Sequence, residues 1–349
     1  MMPHTRRLLN TAGHFPVRPL LPAVLMLPVI LITPGCRRDN NTEPGTPAAS
    51  ADAGENMQNT RTVTFPDEPV IGSLAVRAND ADLHDPWQDK GSARGVITVR
   101  NNEDLLLVVF HDINFDQFSR VIRSLSENDV QAIYLNDTGA DDTWINELPR
   151  LPGLRIVGVR GCAVTDAALP VLVKLPALQR LVLSDTRVTD AAVPLINSIK
   201  TLRDLDLSRT MITDEGLVKL NDLPDLRTLR LPPATTDHGL SCTENLPALE
   251  HLDATDTKIT DAGLVHLRKL PLRRLNLSRT GVTGAGFVNV SGMKSLRDLL
   301  VRNTAVDDSL FDYIADLSEL RRVFIGDSRI SREGAQHFRE NHPSCRLVP

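Results

Sequence analysis

Two carboxylates on alternate positions, Asp204 and Asp206, come closest to catalytic chemistry in this chain. On a β-strand such a pair shares one face with its members about 6.6 Å apart, a separation that a glycoside-cleaving acid and base also use. Asp253 follows two repeat units later, and His251 with Asp253 and Asp256 supplies donor types that bind metals. Gly281, Gly284 and Gly286 have the glycine content of a phosphate loop. None of these sets stands with its usual accompaniment. The histidine has no HExxH or CxxC beside it, the glycines fall at positions where Gly216 and Gly263 already recur, and nothing implies a pocket around the carboxylates. No catalytic residue, metal site or cofactor is expected, and an enzyme ranks below a binding protein.

The element that carries these side chains is a repeat. Units of 23 or 24 residues begin at Val130, Leu154, Leu178, Leu202, Leu226, Leu249, Leu272, Leu296 and Leu320, each close to LxxLxLSxTxVTDxGLxxLxxLP. A period of this length signals a solenoid, in which single units cannot bury their apolar face and a stack of them can. Within a unit the period changes. Leu202, Leu205 and Leu207 frame an alternating stretch, which predicts a short strand. Leu217, Leu220 and Leu223 recur at three-residue spacing, which predicts a helix or helical turn against the same core, with Thr213 or Asp214 capping it and Pro224 ending it.

This pattern resembles the leucine-rich repeat, and within that family the TDxGL variety. It is similar to the cysteine-containing repeats of F-box-type proteins, with Thr at the usual Cys or Asn position. That position holds Thr138, Cys162, Thr186, Thr210, Ala234, Thr257, Thr280, Thr304 and Ser328. The resemblance implies an α/β solenoid, curved, with a parallel sheet on the concave face and short helices on the convex face. Stacked hydroxyls in the Thr column are expected to satisfy the backbone of successive turns. Ala234, beside Pro232 and Pro233, interrupts that column, so the unit from Leu226 is expected to be the most irregular. The last unit departs from the consensus at Ala335, Phe338 and Asn341, as a terminal cap would.

Residues 63–129 read as a small β-rich N-terminal cap, with strands at 71–76, 95–99 and 105–110 and a helix over 115–125. Leu106 and Val109 echo the repeat one period early, so the cap is expected to merge into residues 130–349, the repeat domain of about nine units. Trp87 is expected to pack on the cap. Residues 1–36 have the layout of a secretion signal: Arg6, Arg7 and Arg18 precede an apolar run from Leu20 to Ile32, too short for an ordinary spanning helix. Gly35-Cys36 resembles the end of a bacterial lipobox, although Thr33 stands where Leu is usual and Pro34 where a small residue is preferred. The resemblance implies lipid, palmitate included, on Cys36, with simple cleavage and a retained anchor as alternatives. Residues 37–62 are rich in Asn, Thr, Pro, Ala and Gly and read as a flexible tether.

The chain has 349 residues and a net charge of −5, which becomes −8 once Arg6, Arg7 and Arg18 leave with the signal. That argues against general nucleic-acid binding. Beyond Cys36, the cysteines Cys162, Cys242 and Cys345 are separated by three or more repeats, about 14 Å or more, which predicts no disulfide among them.

Side chains that flank the strand leucines point to the concave face, and they vary from unit to unit. Arg180, Asp204, Asp206, Arg230, His251, Asp253 and Arg274 form the candidate recognition strip, with mutual neutralisation across neighbouring strands as the competing reading. A second column, Arg155, Arg203, Arg227, Arg273, Arg297 and Arg321, suits an anionic surface or polymer, or simply packs its stems over the sheet edge, with Asp166, Asp190, Asp214, Asp237 and Asp261 expected to face it. The expected function is a monomeric, non-catalytic recognition module, tethered in the bacterial envelope or secreted, whose partner is a protein, peptide or envelope polymer. The competing class is an intracellular F-box-like substrate adaptor for a larger enzyme complex. It would need an adaptor domain before the repeats, where residues 1–129 instead offer a signal, a tether and short strands.

Overall fold

The computed structural model describes residues 59–81 and 85–349; the segment read as a secretion signal, Cys36 and all but the last residues of the segment read as a tether lie outside the described residues. The chain divides into two units, Met1–Pro47 and Ala48–Pro349, and every described residue belongs to the second.

The cap is built from alternating apolar runs. β1 (Thr60–Phe65) pairs antiparallel with β4 (Gly95–Arg100), burying Val63, Phe65 and Val99. β1 thus opens inside the last residues of the segment read as tether. β2 (Gly72–Ala78) lies antiparallel between β3 (Gln88–Ser92) and β5 (Glu103–Val109). β3 has no counterpart in the sequence reading, because Gln88-Asp89-Lys90-Gly91-Ser92 is exposed throughout and carries no apolar alternation. β5 then pairs in parallel with β6 (Ala132–Tyr134), so cap and repeats share one 13-stranded sheet, as the early echo at Leu106 predicts. Between them α1 (Phe115–Ser124) starts at a reciprocal cap. Asn114 accepts the Gln117 N–H and the Gln117 side chain accepts the Asn114 N–H, both at 3.0 Å. Its buried face presents Phe118, which stacks on Trp144 at 4.8 Å.

From β6 onward the strands are three residues long and strictly parallel: β7 (Ile156–Gly158), β8 (Arg180–Val182), β9 (Asp204–Asp206), β10 (Thr228–Arg230), β11 (His251–Asp253), β12 (Arg274–Asn276), β13 (Asp298–Leu300), β14 (Arg322–Phe324) and β15 (Arg346–Val348). The middle residue of each faces the helices, and the flanking residues form what we term the open face. Leu181, Leu205, Leu229 and Leu275 are fully buried, as are Leu202, Leu207, Leu217, Leu220 and Leu223. At roughly 1.5–3 kcal/mol for each buried leucine, this column outweighs any polar contact in the unit. It makes the solenoid.

The second half of each unit is a short helical turn, of α type at Asp214–Leu217 and 3-10 type at Gly263–Leu267. Three residues per turn brings side chains at three-residue spacing onto one line, so the leucine spacing suits the tighter helix. Threonine takes the N-cap: Thr165, Thr189 and Thr236 each accept the N–H two residues on. Thr213 has the extended cap backbone but makes no side-chain cap bond. The following aspartates do something the sequence reading did not foresee. Asp190 accepts both the backbone N–H and the hydroxyl of Thr213 in the next unit, each at 2.7 Å. Asp142 with Thr165, Asp166 with Thr189, Asp237 with Thr260 and Asp261 with Thr283 repeat the contact. The recurring Thr-Asp pair is therefore a ladder between units. It also explains the glycine of TDxGL, since a Cβ on Gly216 would lie 2.1 Å from Asp190 Oδ1.

The Thr column at the strand exits satisfies backbone carbonyls turn after turn, as expected, with each threonine serving its own turn. Thr186 donates to the Leu183 carbonyl and Thr210 to the Leu207 carbonyl, at 2.5 and 2.7 Å, each within its own turn. These hydroxyls close a tight loop whose preceding residue, Asp185 or Arg209, has positive φ. In the unit from Leu226 the loop between strand and helix is one residue shorter, counted from Leu231 to Asp237 against Leu207 to Asp214. Thr235, not Ala234, serves it, donating to the Pro232 carbonyl at 2.7 Å while filling the buried position that Ile212 holds one unit earlier.

Candidate functional site

Strand pairing places every candidate strip residue on the open face in two lateral rows. One row runs Arg180, Asp204, Thr228, His251, Arg274 across β8 to β12, and the other runs Val182, Asp206, Arg230, Asp253, Asn276. Neighbours in a row are about 4.8 Å apart. That is close enough for opposite charges to choose one another.

They do so at the centre. Arg180 Nε lies 3.3 Å from Asp204 Oδ2, and Arg230 reaches Asp204 Oδ1 at 3.5 Å and Asp206 Oδ2 at 3.7 Å. Asp204 is 1% exposed and Asp206 8%, so this is a sunken ion cluster. Asp206 also accepts the backbone N–H and hydroxyl of Ser208, at 3.0 and 2.6 Å. Burial pushes the Asp206 carboxyl above its ordinary range, against the pull of Arg230 and Ser208. For Arg230 burial works to lower the pKa, and Asp204, Asp206 and Asp253 together outweigh it, so the guanidinium is held still more firmly charged. The carboxylate pair that suggested hydrolysis is thus bridged by Arg230, with Arg180 also on Asp204. Hollows open elsewhere, among Thr60, Lys90, Arg100 and Glu103 on the cap and beneath the last helix at Phe338 and Cys345.

The other strip members lie outside the cluster. His251 faces the Thr228 hydroxyl at 3.5 Å, Asp253 turns to Thr255, and Arg274 is exposed with no ion pair among the described residues. Asp256, the third member of the imagined metal set, sits in a loop bonded to Arg279, which lowers its pKa. Among the described residues no group of three or more His, Cys, Asp or Glu side chains converges as a metal site.

The N-terminal end of the open face is closed off. Ala75, Leu106, Ala132 and Ile156 form a second, smaller apolar cluster against Trp87, Val108 and Tyr134. Gly158 leaves the space: a Cβ there would lie 2.1 Å from the Tyr134 ring. Trp87 packs on the cap as expected, with the Arg77 guanidinium 4.4 Å from its ring centre. Asp104 beneath is also buried and lies 3.4 Å from Arg155, and burial raises its pKa above the usual carboxylate range, opposed by Arg155 and Arg77.

The arginine column before the strands is not faced by the Thr-Asp aspartates, which are committed to the ladder on the helical side. Arg273 instead pairs with Glu250 at 3.1 Å and Arg297 with Glu319 at 3.5 Å. Gly286 is explained by packing against Asp261, 2.3 Å from where its Cβ would sit. Cys162, Cys242 and Cys345 are free thiols in the core.

At the C-terminal end, the rows continue as Arg274, Asp298, Arg322, Arg346 and as Asn276, Leu300, Phe324, Val348. Reading the strip for alternating charge passes over this end, because its polar residues are nearly all arginine and its second row is apolar.

Residues 198–220 match the family described as Leucine Rich repeat. An internalin (inlF) from Listeria monocytogenes is similar in structure, with a TM-score of 0.48 and 16% identity over 69% of this chain and 72% of that one. Internalin C2 (inlC2) of the same organism gives a TM-score of 0.45 and 21% identity over 59% of this chain and 83% of that one. No curated protein matches the chain. Its repeat, its buried leucine column and its 13-stranded, largely parallel sheet give the chain the architecture of a leucine-rich repeat solenoid, the family that residues 198–220 match.

Proposed function

We propose that the protein is a non-catalytic recognition module of the bacterial cell envelope, tied to a membrane through lipid on Cys36 and binding a protein partner through the concave, open face of its sheet. One observation carries the reading: the open face divides. Its first strands are sealed by Trp87, its centre is an internally paired ion cluster, and from β11 onward, the buried Asn276 apart, it presents half-exposed or exposed side chains. Within the proposed strip, Arg180, Asp204, Asp206 and Arg230 form a stiff floor and His251, Asp253 and Arg274 make contact. Such a charged set favours specificity and association rate over raw affinity.

The test compares capture from envelope extract by the wild-type chain and by an Asp253→Asn, Arg274→Glu double variant, whose positions make no ion pair in the central cluster. A partner held by wild type and lost by the variant supports the reading; identical partners overturn the strip. The tether is tested separately. Palmitate label should enter the wild type and not Cys36→Ser, whereas a cytosolic product with an intact N-terminus would favour the intracellular adaptor.

A further inference from the structure

From β12 to β15 the open face has an uneven charge. The row Arg274, Asp298, Arg322, Arg346 contains one carboxylate, and Asp298 is taken by Arg322 through two bonds of 2.5 Å. Arg274 and Arg346 are exposed, with no carboxylate within ion-pair distance among the described residues. Arg302, beside the second row, has no such partner either; its guanidinium sits 5.0 Å from the Phe324 ring centre and its Nε is buried without a hydrogen bond. This cationic end belongs to a chain whose net charge is −5.

Parallel to the arginine row runs Leu300, Phe324, Val348, each only half-buried. The rows are two residues apart along the strands, about 6.6 Å, and an extended peptide throws successive side chains to opposite sides. A peptide crossing the strands between the rows would send one set of side chains to guanidiniums and the other to the apolar row. We propose that this end of the face docks an extended acidic peptide in which carboxylate and apolar side chains alternate. The proposal rests on the open face being the binding surface and names what it binds. An anionic polymer would use the arginines and leave the Leu300–Phe324–Val348 row without a role.

The test is fluorescence anisotropy with the mature chain and a labelled peptide of alternating glutamate and leucine, beside a lysine–leucine peptide, a glutamate–serine peptide and heparin. The glutamate–leucine peptide should bind, the lysine–leucine peptide should not, and Arg346→Glu and Phe324→Ala should each weaken binding about tenfold. Arg120→Glu, exposed on α1 of the cap, should leave it unchanged, and melting curves check that the variants fold. Equal binding of the lysine–leucine peptide, or indifference to Arg346→Glu, overturns the proposal. Binding of heparin and the glutamate–serine peptide that matches glutamate–leucine and ignores Phe324→Ala overturns it in favour of an anionic-polymer surface. If the peptide fails while envelope capture still depends on Asp253 and Arg274, the recognition reading stands and this inference alone falls.

Discussion

A carboxyl group that is hard to ionise tells its environment through pH. Burial raises the native pKa of Asp206, so the native state holds its proton more tightly than the unfolded chain does. Its contribution to stability is then fully present below the unfolded range and is lost as pH rises through the raised native value. Relative to Asp206→Asn, the wild type should gain stability on acidification from pH 7 to about 4, read from urea melts of both proteins at each pH. A constant gap would show that Asp206 is solvated. Glu147 supplies the opposite sign: its bond from Arg123 lowers its pKa, so what it contributes is lost as pH falls. The thiols offer a second residue-scale check. Cys242 is fully buried, and desolvation pushes its pKa up to about 12. A thiol reagent at pH 8 should leave it unmodified until denaturant is added; rapid native labelling would mean the turn around Ser241–Asn245 opens. The rows holding Arg180 to Arg274 were legible in the sequence because alternation around a strand leucine fixes which face a side chain takes. Which charges would sink and pair was not, since that depends on neighbours 24 residues away.

At the scale of one helical turn, the sequence shows a Thr-Asp pair and suggests a cap. Threonine is the cap in several units, but aspartate spends its acceptors on the next unit's threonine. Periodicity along the chain places a residue on the helical side of a unit and cannot say that its carboxylate crosses to the neighbour. The tight glycine in TDxGL was the available signal, because a position that excludes Cβ marks something close by. Asp190→Ala removes two hydrogen bonds to Thr213 and should cost about 1–2 kcal/mol, with Asp190→Asn costing less because its amide oxygen still accepts. Equilibrium unfolding of both variants orders them, and an unchanged midpoint for the alanine would remove the ladder from any account of stability.

Over the whole molecule, stability passes from unit to unit, since each repeat packs only against those beside it. The two ends are therefore the weak places, and they are sealed unlike each other. At the N-terminus the cap continues the sheet through β5 and β6 and adds α1, so the seal is both hydrogen-bonded and apolar. At the C-terminus the helix Arg332–Asn341 lays Ala335 and Phe338 over the last core, with the Phe338 ring 4.6 Å from Phe311. Asn341, the third position that departs from the consensus, stays exposed. Phe338→Ala should cost about 3–4 kcal/mol, and in a linear array that loss has a location. Hydrogen exchange should quicken in β14 and β15 while β7 and β8 keep their protection, because the latter touch nothing the substitution changes. Uniform loss of protection along the sheet would mean that the repeats unfold as one cooperative body, and the frayed end would then be no cheaper to open than the middle. Graded loss has a functional corollary: the arginine-rich end of the open face rests on the same last units, so Phe338→Ala should weaken peptide docking there without disturbing the ion cluster around Asp204.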